Sequence, residues 1–223
     1  MSATPQTESA PPLCQWARGV LALPEPFRLE SGEQLQRAQL AWQCVGPDAA
    51  PLVVVLGGIS AHARCCAPDG DGWWESQCGE GQALDTRRYR LLSVDWLGGA
   101  HASSPARGAR VSSADQARAL LLLVNRLGAR RVHLLVGASY GGAVAQHLAA
   151  LLGARLRHLA LLCSAHRSSA YARAFRHVQR AILQLGDDAR PALALARQLA
   201  ILGYVTHAEI ESRFRVRLRS FRP

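Results

Sequence analysis

The sequence reads as an α/β protein, with a mostly parallel central sheet, helices on both faces and a helical segment at its C-terminal end. Three observations carry this reading. Three apolar runs, PLVVVLGG, YRLLSVDWLGG and RVHLLVGAS, have the near-continuous hydrophobicity of strands covered on both sides, and LRHLALLCSA reads as a fourth strand. Two connections between them, SADQARALLLLVNRLGA and YGGAVAQHLAALLGA, have helical length and end at glycine, which makes right-handed βαβ units. Beyond residue 170 the pattern becomes helical only.

Taken in order, residues 1–26 carry five prolines among small polar residues and read as a disordered arm. FRLESGEQLQRAQLAWQCVG alternates apolar and polar residues around a Ser-Gly turn, so a hairpin should add antiparallel edge strands. After the first buried strand comes a long loop rich in Gly, Cys and Trp, ISAHARCCAPDGDGWWESQCGEGQALDTRR, and then the second strand. A serine cap with Asp and Gln in the first turn opens the first helix. The partial core is thus expected over 27–170, a helical lid over 171–214 and an Arg-rich tail over 215–223.

The 223 residues suit one domain, or one domain with a small lobe. Hydrophobic content of 49% with 19% charged residues is that of a soluble globular chain. The net charge of +10 comes from 26 basic residues, all of them arginine, spread through helices, loops and tail without a nucleic-acid-binding motif. Nucleic acid is therefore not expected as a partner, whereas a phosphate-bearing small molecule is compatible with the charge. Six cysteines without C-x-x-C spacing, and no secretory leader pattern, point to reduced thiols and a cytoplasmic location. Cys65-Cys66 beside His62 do not make a convincing ligand set, and no metal is expected. No apolar run reaches the ~18 residues a membrane span needs.

The third strand and second helix enclose Gly137-Ala-Ser139-Tyr-Gly141, a strand–G-x-S-x-G–helix unit of the nucleophile-elbow kind. Glycines at both ends let strand and helix approach closely, and Ser139 is held in a strained turn at a helix N-terminus. As a nucleophile it would have the Tyr140 N–H as one oxyanion donor and the Ile59 N–H, from the Gly-Gly loop after the first buried strand, as the other.

LGGISAHA, GWWESQCGEGQALDTRRYRLLSVDWLGG, VGASYGG, SAHRSSAYARAFRHVQRAI and LALARQLAILGY, in that order, resemble the homoserine O-acyltransferases of the α/β-hydrolase superfamily. The resemblance implies an α/β-hydrolase fold with a helical lid. It also implies no bound cofactor, and acyl transfer from succinyl-CoA or acetyl-CoA to L-homoserine through a Ser139 acyl-enzyme, in methionine biosynthesis. Arg197 matches an arginine that binds the homoserine carboxylate, and Tyr204 a tyrosine of the same pocket. A solvated helix face is the other reading of Arg197, and plain packing the other reading of Tyr204. Tyr140 after the serine, with G-I-S-A and V-D-W-L, favours succinyl-CoA. A homodimer through the lid helices is a further expectation. An esterase or thioesterase of the same fold, or a non-catalytic binding module, are the other functional readings.

The family's order is Ser, Asp, His along the chain, and the lid-like helices come before any such Asp and His. The candidates present are Asp187, Asp188, His166 and His207. Asp95 precedes the serine, and His133 and His147 read as packing or surface residues. The chain therefore resembles a family member truncated before its acid and base, with an incomplete sheet, and inactivity on its own is the expectation.

Overall fold

The computed structural model describes residues 16–185 and 189–213, which form two compact units divided after His166. The first unit is built on a six-stranded sheet. Its strands are β1 (Trp16–Ala22), β4 (Gln39–Val45), β5 (Leu52–Leu56), β8 (Arg90–Val94), β9 (Val132–Ala138) and β10 (Leu156–Leu162), ordered β1-β4-β8-β5-β9-β10. β8, β5, β9 and β10 run parallel, while β4 pairs antiparallel with β8 and β1 antiparallel with β4. Short ladders β2 (Phe27–Arg28) with β3 (Gln34–Leu35), and β6 (Cys78–Gly79) with β7 (Leu84–Asp85), lie outside this sheet.

β1 corrects the reading of residues 1–26 as a disordered arm. WARGVLA lies within that stretch and makes a seven-residue register against β4, from Trp16↔Val45 to Ala22↔Gln39. The prolines around it made the segment look structureless, but none falls within the strand, and β4 supplies the ladder partner. Residues 1–15 lie outside the described residues.

The central strands are buried as their apolar runs require: every residue of β5 is buried, and Leu91, Leu92 and Val94 of β8 likewise. Helices α1 (Ser113–Arg126) and α2 (Tyr140–Leu152) close one face, in a core of Leu40, Val54, Leu92, Leu120, Leu123, Leu135 and Leu148. The other face is covered by the 57–89 connection, whose Cys65, Cys66, Cys78, Trp73 and Trp74 pack on Val45, Val53, Val55 and Val136. That connection has no 3.6-residue apolar period, so a loop stands there in place of a helix.

α1 is capped at Ser112, one residue before the serine the sequence suggests, in a complete capping box with Asp115. The Asp115 carboxylate also accepts the Glu30 N–H at 2.9 Å and pairs with Arg118, so it fastens the Phe27–Leu35 hairpin to α1. Burial alone would push this carboxyl up, but the Ser112 N–H, Arg118 and the Glu30 N–H hold it below the usual carboxylate range.

The second unit holds α3 (Ala170–Ile182), capped by Ser169, then α4 (Ala189–Leu202) and α5 (His207–Arg213). Gln179 of α3 donates to the Ala196 carbonyl of α4 at 3.3 Å, and Glu209 pairs with Arg213 along α5. Among the described residues no helix is long and apolar enough to cross a membrane.

β10 forms one edge of the sheet with Leu159, Leu161 and Leu162 each 37–42% exposed. An apolar edge of this kind is an association surface. Leu159→Lys with Leu161→Lys should reduce concentration-dependent light scattering of the purified chain while leaving its unfolding free energy within about 1 kcal/mol of the parent. Asp115→Ala, which strands two backbone N–H groups, should lower stability by about 2–4 kcal/mol in chemical denaturation at pH 7. Because the folded carboxyl lies below its unfolded value, this contribution is present above the ordinary carboxylate range and is lost as pH falls through it. The gap between the two proteins should therefore narrow on acidification.

Candidate active site

The turn between β9 and α2 is tight because three backbone segments meet there without side chains. A Cβ on Gly137 would lie 2.5 Å from the Gly141 carbonyl oxygen, and one on Gly141 only 2.3 Å from that of Leu56. The space left by the missing Cβ lets the Gly141 N–H donate to the Gly57 carbonyl at 2.8 Å, which ties the elbow to the loop after β5. Ser139, between them, has φ 54° and ψ −114°, a left-handed conformation that costs a serine on the order of 1–3 kcal/mol. Its N–H donates to the Leu162 carbonyl of β10 at 2.9 Å, and its own carbonyl accepts from Gly142 at 3.0 Å. The side chain is exposed at the head of α2 and makes no capping bond there, so Oγ faces outward beside the positive end of the helix.

The loop after β5 is fixed just as closely. The Gly58 carbonyl accepts the Ala61 N–H at 3.0 Å and the Trp96 indole N–H at 2.8 Å. Trp96 is buried and meets the Tyr140 ring edge-on at 5.1 Å. Burial pushes the Tyr140 phenol up, with Gln116 hydrogen-bonded to it. Gln116 also clamps Leu97 from both sides, accepting its N–H at 3.1 Å and donating to its carbonyl at 2.8 Å. Among the described residues neither the Ile59 N–H nor the Tyr140 N–H has a hydrogen-bond acceptor. One unspent donor thus lies in the serine turn itself, and the other on the loop that the Gly57–Gly141 bond joins to that turn.

The candidate acids and bases fall elsewhere. The buried Asp95 spends its carboxylate on the N–H groups of Ala63 at 2.6 Å and Ala102 at 2.9 Å. His133 is half-buried between Tyr89 and His158, at ring distances of 5.6 and 5.5 Å, and His147 is exposed on α2. His166 is exposed after β10, and His207 is exposed on α5 beside Glu211. Asp187 and Asp188 lie outside the described residues. Among the described residues no histidine is hydrogen-bonded to Ser139 Oγ. Arg197 on α4 and Tyr204 just after it are both exposed in the helical unit.

Two features carry no sequence signal. Trp96 lies 38 residues from the carbonyl it holds. Asp95 brings His62 and His101 to 5.1 Å on a groove of about 620 Å³ lined also by Arg18, Trp42, Gln43 and Arg64. Burial and the charge of His101 push His62 down. Both histidines precede residues whose N–H groups Asp95 binds, a convergence set by loop closure. No group of three or more His, Cys, Asp or Glu among the described residues is arranged to hold a metal ion.

The family model of the α/β hydrolase fold matches residues 51–214, three quarters of the chain. The chain belongs to the α/β-hydrolase family. Within it, the chain is similar to the homoserine O-succinyltransferase of Xanthomonas campestris, 40% identical over 95% of this chain and 56% of that protein. It is similar as well to the serine O-succinyltransferase of Frateuria aurantia, 35% identical over 91% of this chain and 64% of that one. Among solved structures, the homoserine O-acetyltransferase of Staphylococcus aureus superposes with a TM-score of 0.76 at 28% identity, covering 90% of this chain and 62% of that one. This α/β-hydrolase chain thus spans between half and two thirds of the length of these relatives.

The glycine geometry can be tested by stability alone. Gly141→Ala drives a Cβ into the Leu56 and Gly57 carbonyls and should cost about 3 kcal/mol or more. Gly58→Ala, with nothing within 4 Å of the added carbon, should stay within about 1 kcal/mol of the parent. Equal losses from the two would contradict the close approach at the elbow.

Proposed function

We propose that Ser139 accepts an acyl group from a CoA thioester, succinyl-CoA in preference to acetyl-CoA, and passes it to the side-chain hydroxyl of L-homoserine. What supports this reading is the strained, exposed Ser139, whose turn bears an unspent N–H at Tyr140 and is bonded to a loop bearing another at Ile59, in a chain similar to O-succinyltransferases. Attack of Oγ on the thioester carbonyl places negative charge on its oxygen, where the Tyr140 and Ile59 N–H groups and the α2 dipole would stabilise it. The C–S bond breaks, CoA leaves as thiol, and the homoserine hydroxyl attacks the acyl-serine to release the ester and regenerate Ser139. In this scheme Arg197 is the candidate to hold the homoserine carboxylate through a two-pronged guanidinium contact, with Tyr204 of the same helical unit a further candidate for homoserine binding. L-Serine is the second acceptor to consider, because one of the similar relatives is named for it.

Deprotonation of Ser139 needs a base, and none of the described histidines is bonded to it. The expected outcome for the 223-residue chain is therefore slow acylation without appreciable turnover. Intact-mass analysis after incubation with succinyl-CoA should show one added succinyl group, absent from Ser139→Ala and weaker with acetyl-CoA. Thiol release with homoserine or serine present should stay far below ordinary enzyme rates, on the order of 1 s⁻¹. No adduct from either thioester would overturn the acyl-enzyme reading. Turnover at ordinary rates that Ser139→Ala abolishes would mean a base acts on the serine, and His166 would be the first residue to replace.

A further inference from the structure

We propose that Trp96 is a positioning residue that aims the Ile59 N–H, a role that rests on the reading of Ile59 and Tyr140 as the oxyanion donors of Ser139. A peptide unit is planar and trans, so its carbonyl and the next residue's N–H point in opposite directions. The carbonyl of Gly58 and the N–H of Ile59 belong to one such unit. The Trp96 indole holds that carbonyl at 2.8 Å, with the Ala61 N–H on the same oxygen at 3.0 Å. Trp96 is only 3% exposed whereas Ile59 is 67% exposed, so the carbonyl points toward the core and the N–H away from it.

On its Gly58 side this peptide meets no steric resistance to turning over, so the indole bond adds to the limit that the β-branched Ile59 sets on its own φ. Gly58 has no neighbour within 4 Å of where a Cβ would stand, and glycine backbones accept both orientations with little steric cost. If the peptide turned over, it would present the Gly58 carbonyl, a negative dipole, where the oxyanion requires a donor. The preceding peptide is held separately, by the Gly57 carbonyl on the Gly141 N–H at 2.8 Å, so the indole governs only the last joint of the loop. The same Trp96 ring rests against Tyr140, whose N–H is the other donor, and Gln116 clamps the neighbouring Leu97 at both its N–H and its carbonyl. One buried side chain thus sets the relation between the two donor-bearing segments.

The test uses the complete 15N-labelled chain, with propylboronic acid as the probe of the anion site and the Ile59 N–H residual dipolar coupling as the measure of bond direction. Trp96→Phe keeps an aromatic ring beside Tyr140 but removes the indole N–H. It should change the Ile59 coupling, leave that of Gly141 unchanged and weaken boronate binding about tenfold, the effect of losing one neutral hydrogen bond. An Ile59 coupling unaltered by Trp96→Phe overturns the positioning role whatever the boronate does. Boronate binding that survives Ser139→Ala, or that is absent from the unsubstituted chain, overturns instead the reading of the serine turn as an oxyanion site. If Trp96→Phe does not fold, hydrogen exchange of the Trp96 indole in the unsubstituted chain decides. Protection comparable to β9 amides upholds the pin, and exchange at the rate of an exposed tryptophan overturns it.

Discussion

The hydrogen bond from the Gly141 N–H to the Gly57 carbonyl joins the first turn of α2 to the loop leaving β5. It can form because two backbones meet with no Cβ between them; an alanine at 141 would put its carbon 2.3 Å from an oxygen. With that contact in place, the sharpness of the Ser139 turn, the seating of α2 on the sheet and the joining of two segments that each carry an unspent N–H group all follow. Without it the glycine loop and the elbow would be separate pieces of surface. The strain at Ser139 is tolerable for the same reason, since the bonds on both sides of the serine leave its backbone no alternative well.

The legible parts of this molecule are those whose cause is local. Gly137, Ser139 and Gly141 could be read from spacing because the turn is made by five consecutive residues. The buried strands could be read because burial on both faces leaves unbroken apolar runs. The α1 cap was legible within one residue, since Ser112 and Asp115 act across a single turn. β1 was hidden because an edge strand exposed on both sides needs no apolar signature, only a partner, and its partner β4 begins 17 residues further on. The hold of Trp96 on Gly58 and the span of Asp95 across two loops were equally hidden. Each joins segments more than 30 residues apart in one case and on both sides of a strand in the other.

The same distinction separates Asp95 from the acid of a catalytic constellation. A carboxylate at the end of a strand, in a sheet that also carries a serine turn, invites a chemical reading. Its two oxygens, however, are each committed to a backbone N–H, and the residue is buried. Its work is to close the loops carrying His62 and His101, which places two imidazoles together on a groove lined also by Arg18, Trp42, Gln43, Arg64 and Asp71. The arrangement gives that groove a titratable wall. The burial that depresses His62 keeps one ring neutral more readily than an exposed histidine would be.

The N–H of Ser139 is bonded to the carbonyl of Leu162, the last residue of β10, a strand whose outer side has no strand partner among the described residues. Edge strands open most readily at their ends, so this bond belongs to a region that samples local unfolding more often than the buried strands do. The geometry of the serine is consequently set by the order of a neighbour with little cover of its own. Whatever firms up the free margin of the sheet would also quiet the serine, and whatever loosens it would let the turn relax toward an unstrained form. The strain of this serine is in that sense a property of the sheet's periphery rather than of the turn alone.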